Sequence, residues 1–145
     1  MKPRVFIGSS TEGLAIAHAV QANLESAAEV TMWSDDVFLP GSHVLESLLH
    51  QAERSDFAVF VFSTDDIVSI RGSEQLTVRD NVVFELGLCI GLLGPKRSFM
   101  VMPNIQHLRI PSDLNGINAA TFEPDRANKD VVAALAQPAT RSALR

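Results

Sequence analysis

Glu85 is the residue of this sequence best suited to chemistry and least suited to its surroundings. It interrupts the run Arg79-Asp80-Asn81-Val82-Val83-Phe84-Glu85-Leu86-Gly87-Leu88-Cys89-Ile90-Gly91-Leu92-Leu93-Gly94. At helical spacing its stripe holds Asn81 one turn earlier and Leu88, Cys89 and Leu92 one and two turns later. A carboxylate facing an apolar interior is costly unless it is paired, protonated or lining a cleft. Ionisable groups in such settings are enriched at functional sites. The alternative is a half-solvated glutamate near a helix start, stabilised by the helix dipole.

The rest of the chain offers hydroxyls, backbone amides and aromatic faces as its companions. Gly8-Ser9-Ser10 follows an apolar strand and precedes a helix, a place where backbone N–H groups favour an anion or a sugar hydroxyl; a simple helix cap is the other reading. This turn lacks the lysine of a P-loop and the three glycines of a dinucleotide fingerprint. Trp33 and Phe38 bracket an acidic loop, and Phe38 either folds onto the core or offers a face to a planar ligand. His18, His43, His50 and His107 show no ligand spacing with Cys89 or with carboxylates, so no metal site is expected. Asp35-Asp36 and Asp65-Asp66 read as solvated loop ends before they read as cation ligands. No serine sits in a Gly-x-Ser-x-Gly elbow. One fixed negative charge among hydroxyls and amides suits glycosidic cleavage through an oxocarbenium-like transition state. A nicotinamide riboside bond fits that equipment, because its leaving group departs neutral and needs no acid.

The elements that must position these groups alternate. Val5-Phe6-Ile7 is a short apolar strand, and Ser9 with Glu12 has capping-box spacing for a helix over Thr11–Ser26, whose inner face would hold Leu14, Ala17, His18, Gln21 and Leu24. Glu29–Trp33 reads as a strand, Ser34–Gly41 as a long loop, and Ser42 as the cap of a helix to Arg54 with Val44, Leu45, Leu48, Leu49 and Ala52 inward. Phe57–Phe62 is a strand buried on both faces. Ile67–Val78 has no clear period and reads as a mobile loop. The Glu85 helix, opened by Asp80 as N-cap and stopped by Gly94-Pro95, is apolar all round, which predicts burial on every side; Gly87 and Gly91 would let a neighbouring backbone come close. Ser98–Met102 and Ala119–Phe122 supply two more strands, joined by a loop with one turn near Asp113-Leu114. Asn128–Ala136 is a final helix.

Strands alternating with helices predict an α/β fold with a five-stranded parallel sheet in the order 2-1-3-4-5 and helices on both faces. Ligands bind such sheets outside the carboxyl ends of the strands, at the switch point between the first and third. That edge gathers Gly8–Ser10, the Trp33–Gly41 loop, Ser63–Asp66 and the start of the Glu85 helix. The residues expected on substrate are therefore Gly8, Ser9, Ser10, Trp33, Phe38, Asp80 and Asn81, with Glu85 as the catalytic group.

Composition agrees with one domain over 1–136 and a linker or disordered tail over 137–145. Of the 145 residues 46% are hydrophobic and 20% charged, and a net charge of -5 argues against a nucleic-acid or anionic-membrane surface. No apolar run is long enough to span a bilayer. A single cysteine among leucines fits core packing and a cytoplasmic location.

Val5-Phe6-Ile7-Gly8-Ser9-Ser10-x-Glu12-Gly13-Leu14, the Trp33–Phe38 loop and the Asp-Asn-x-x-Phe-Glu-Leu-Gly block over Asp80–Gly87 resemble the TIR-like domains of bacterial antiphage effectors, the group fused to STING-type or cyclic-pyrimidine-sensing modules. The resemblance covers about Arg4 to Pro103. It implies a flavodoxin-like TIR fold, and NAD+ hydrolysis switched on by oligomerisation, with NAD+ as substrate and no cofactor. It maps the family's catalytic glutamate to Glu85 and its mobile BB loop to Trp33–Gly41. Partners implied are NAD+, further copies of the chain, and a cyclic-nucleotide-sensing module in the same or another chain. Two other readings stand beside it: a non-catalytic TIR scaffold, and a nucleoside deoxyribosyltransferase-like enzyme that places a glutamate on ribose.

Overall fold

The computed structural model describes residues 2–34, 44–63, 66–70, 72–77, 80–104, 108 and 110–123. The elements run β1 (Arg4–Ser9), α1 (Leu14–Leu24), β2 (Glu29–Ser34), α2 (Val44–Glu53), β3 (Phe57–Val61), β4 (Asp66–Ile70), β5 (Ser73–Thr77), α3 (Asp80–Leu93), β6 (Ser98–Pro103) and β7 (Asn118–Phe122). Short 3-10 turns cover Thr11–Gly13, Pro95–Arg97 and Ser112–Gly116. The expected final helix and the tail after it lie outside the described residues, as do Phe38 and Ser42.

β2, β1, β3, β6 and β7 lie side by side in that order, and every pairing is parallel. Since β6 and β7 are the fourth and fifth strands of this sheet, its order is the expected 2-1-3-4-5. β1 is hydrogen-bonded on both sides, Val5 standing opposite Val30 and Phe57, and Gly8 opposite Trp33 and Phe60. Alternation along the strands sorts the side chains into two layers. Val5, Ile7, Val59, Val61 and Val101 join Ala17, Val20 and Leu24 of α1 in an aliphatic layer. Phe6, Phe60, Phe62 and Trp33 join Leu48 and Ala52 of α2 and Val82, Leu86 and Cys89 of α3 in an aromatic one. Full burial of each valine, leucine, isoleucine or phenylalanine side chain among them contributes about 1.5–3 kcal/mol.

Four expectations need correction. The stretch expected as a mobile loop is an antiparallel hairpin: β4 and β5 pair from Asp66–Thr77 to Ile70–Ser73, apart from the main sheet, and Gly72 at the turn takes φ +80. Left-handed backbone there suits glycine, and two short strands can close around it.

The first helix is not capped by a Ser9–Glu12 box. Ser9 is still a strand residue, so the chain passes through a 3-10 turn and α1 starts after Gly13 with no side-chain cap bond. Its inner stripe is Ala17, Val20 and Leu24, while His18 is exposed. On α2, Leu45 is 49% exposed although Leu48 and Ala52 are buried. Finally, α3 is not buried all round: Val82, Leu86 and Cys89 face inward, but Phe84 is 58% and Leu92 42% exposed. A helix on the outer layer of a helix–sheet–helix sandwich has one face to bury, whatever residues occupy the other.

Candidate active site

α3 leaves the hairpin at the carboxyl edge of the sheet and runs back toward the start of β6. Glu85 therefore stands about 8 Å along the helix from Asp80, at 1.5 Å per residue, near that edge. It is 5% exposed, and its Oε2 atom is cut off from solvent. On the helical wheel it lies on the border between the inward face and the open one, with Cys89 one turn behind it on the buried side. Burial pushes the Cys89 thiol up to about 12, and the negative charge of Glu85 adds to the rise.

The ends of β1 and β3 form the floor of the same edge. Ser10 is 2% exposed, and its hydroxyl meets that of Ser63 at 3.2 Å across the first-to-third-strand boundary, with either oxygen as donor. Ser63 was gathered to this edge by the topology but not singled out as a substrate residue. Its signal was positional: the first polar residue after the Phe57–Phe62 run. Ser9 points the other way along the strand alternation, with Ile7 and Val5; its Oγ is buried and makes no hydrogen bond among the described residues.

The structure gives Gly8 and Trp33 packing roles. A Cβ on Gly8 would lie 2.5 Å from Cε1 of Phe60, so glycine is what lets that ring pack against β1. Trp33 is 6% exposed and its ring sits 5.6 Å from that of Phe6, tilted by 43°. Trp33 thus packs within the core. It also borders a groove of about 430 Å³ lined by Glu46, Ser47, His50 and Gln51 between β2 and α2. Asp80 opens α3 and Asn81, exposed, follows it at the edge. The structure thus brings Ser10, Ser63, Asp80, Asn81 and Glu85 to one edge by topology, leaves Gly8 and Trp33 in the core beneath it, and turns Ser9 to the opposite layer.

Among the described residues no group of three His, Cys, Asp or Glu side chains is placed to hold a metal ion, and no helix is long and apolar enough to cross a membrane. A buried carboxylate on the same sheet edge as hydroxyls and a helix start can stabilise a cation that forms next to it, while those groups hold sugar hydroxyls.

Residues 4–124 match the family model described as CAP12/Pycsar effector protein, TIR domain. A CD-NTase-associated protein 12 from Flavobacterium daejeonense is 42% identical over 123 residues, covering 85% of this chain and 39% of that protein. The Pycsar effector protein BcPycTIR of Burkholderia cepacia is 37% identical over 128 residues, 88% of this chain and 42% of its own. PaPycTIR of Pseudomonas aeruginosa is 38% identical over 132 residues, 90% of this chain and 43% of its own. The chain thus spans about two-fifths of the length of these relatives. Among solved structures, a diflavin flavoprotein A3 from a Nostoc species superposes with a TM-score of 0.52 at 10% identity, over 98% of this chain and 94% of that one. That likeness is one of fold, and it is the flavodoxin-like one.

Proposed function

This chain belongs to the CAP12/Pycsar effector TIR domain family, and from that premise we propose that its Glu85 edge cleaves the nicotinamide–ribose bond of NAD+ as the effector step of an antiphage response. The observation that carries the reading is Glu85 itself, 5% exposed and held on a rigid helix at the ligand-binding edge of a parallel sheet. In the proposed reaction the bond from ribose C1′ to the pyridinium nitrogen breaks, and its electron pair stays with nitrogen, so nicotinamide leaves neutral. Positive charge moves to C1′ and the ring oxygen, where the Glu85 carboxylate stabilises it. Water then bonds to C1′ and releases a proton, giving ADP-ribose. Ser10 and Ser63 hold ribose hydroxyls in this scheme, and Asp80 and Asn81 line the entrance at the helix start.

In the same proposal the chain is an effector domain that works with a cyclic-nucleotide-sensing module, in its own longer chain or in a partner, and is switched on when copies come together. Holding domains at roughly millimolar effective concentration is enough to populate a weak self-contact.

The test is direct. The chain, dilute and then concentrated or fused to an inducible oligomer, is incubated with NAD+, and free nicotinamide is measured. Release that rises with clustering and falls by about a thousandfold in Glu85→Gln, roughly 4 kcal/mol of lost transition-state stabilisation, supports it. Near-normal turnover of Glu85→Gln overturns it. Transfer of deoxyribose between bases without nicotinamide release would instead make this a deoxyribosyltransferase-like enzyme.

A further inference from the structure

The outward face of α3 is built unlike a solvent-facing surface. Going along the helix it presents Asn81, Phe84, Gly87, Leu88, Gly91 and Leu92. Asn81, Phe84, Gly87, Gly91 and Leu92 are exposed and Leu88 half-buried. None carries a charge, although surface helices of soluble domains normally place charged side chains there. Three large apolar side chains are exposed among the described residues, and two of them, Phe84 at 58% and Leu92 at 42%, stand on this one face. Between them lies a notch: a Cβ built on Gly87 or on Gly91 would meet nothing within 4 Å. Among the described residues the two glycines therefore serve no close approach.

We propose that this face binds the same face of a second copy, the two α3 helices crossing antiparallel about a two-fold axis near Gly87 and Leu88. Self-complementarity decides the occupant. A two-fold contact requires one patch to carry both knob and hole, at positions that exchange under the axis. With the axis between residues 87 and 88, Phe84 of each copy falls on Gly91 of the other, and Leu88 on Gly87. Large meets small at both pairs, twice over. Shifting the axis by one residue loses this match. Charge points the same way. At a net charge of -5 two copies repel over most of their surface, and a patch without ionisable groups is where they can touch with no charge to desolvate. A differently charged partner would find nothing here to pair with.

Glu85 adjoins this contact without entering it, so pairing would clamp the helix that carries the carboxylate. That consequence rests on the activity proposed above, whereas the contact does not.

The experiment separates the two. Self-association of the intact chain is followed by sedimentation from micromolar to near-millimolar concentration, beside Phe84→Glu and Leu92→Glu, with circular dichroism confirming that both variants fold. Self-association of the wild type, weakened at least tenfold in each variant, supports the contact. Cysteine cross-linking fixes its geometry: a mixture of Phe84→Cys and Gly91→Cys chains is expected to form a disulfide under mild oxidation, and Phe84→Cys alone is not. A wild type that stays monomeric throughout, variants that associate as tightly as wild type, or cross-linking of Phe84→Cys to itself overturns the proposal. Nicotinamide release, measured in parallel, reads the Glu85 chemistry independently. A pairing chain that releases none would leave this contact standing and the glycohydrolase reading not.

Discussion

On its inner side α3 gives Val82, Leu86 and Cys89 to an aromatic layer in which Phe6, Phe60 and Phe62 are almost wholly hidden, whereas its outer side holds Phe84 and Leu92 in water at 58% and 42% exposure. The residue types on the two sides are nearly the same. Only the inner side is matched by a neighbour, and only there does apolar area become stability. Glu85 occupies the seam between them. The contrast teaches that hydrophobic composition does not tell a helix which way to face; the surface across from it does.

That contrast can be broken from either side. Leu86→Ala is expected to cost about 3 kcal/mol, since Leu86 is 0% exposed and the helix cannot close the hole. Chemical denaturation should show the midpoint falling with little change in slope. The next effect lies beneath α3, in the same layer. Gly8→Ala pushes a methyl to 2.5 Å from the Phe60 ring, a carbon itself 0% exposed, and overpacking of this kind costs about 2 kcal/mol. Unfolding of Gly8→Ala at the wild-type midpoint would show that β1 relaxes freely.

Cys89 gives a pH-dependent effect. Its folded value of about 12 lies above the ordinary 9.0 because burial and Glu85 both disfavour the thiolate. Below pH 9 both states carry the proton and the thiol contributes no slope. Between pH 9 and 12 only the unfolded chain releases it, so stability falls with pH by up to about 1.4 kcal/mol per unit. The wild type should therefore lose ground against Cys89→Ala as pH rises through that window, the difference between the two removing the lysines' share. A constant difference would place the thiol in contact with water. Smallest of all, Phe84→Ala on the outer face should change monomer stability by no more than about 0.5 kcal/mol, although it removes a larger side chain than Leu86→Ala does. A loss comparable to that of Leu86→Ala would mean the outer face is covered within the chain.

The same logic explains what could be read in advance. Phe57–Phe62 announced a strand buried on both faces by its unbroken apolar run, and the alternation of strands and helices then led to the 2-1-3-4-5 sheet. Glu85 was legible because it is one charge in a long apolar stretch, and its burial follows from that position. α3's exposed side was not legible. Periodicity reports a face only where polar residues mark the opposite one, and here Phe84, Gly87, Gly91 and Leu92 mark nothing. The β4–β5 hairpin was hidden by the polar strand Ser73–Thr77, whose Glu74 and Gln75 have poor strand propensity. Its one local sign was Gly72, a turn residue between short runs. Trp33 was placed on substrate by its position at the loop; its core packing depends on Phe6, which supplies a ring for it to pack on. Gly8 was placed on substrate by its position at the edge; its packing role depends on Phe60, which only the β1–β3 register puts opposite.

That register also sets a timetable. β1 is an interior strand, yet the strand on its far side, β3, ends 52 residues later in the chain, Ser9 standing opposite Val61. A ribosome adding about 5–20 residues per second leaves an interval of roughly 3–10 s between the two. Throughout it Val5, Phe6 and Ile7 have been made and their permanent neighbour has not. A parallel sheet cannot shorten this wait with a tight turn, because each strand must return to the same end before it can pair. Of the neighbouring strands in this sheet, β1 and Phe57–Val61 are therefore the pair with the longest wait between them.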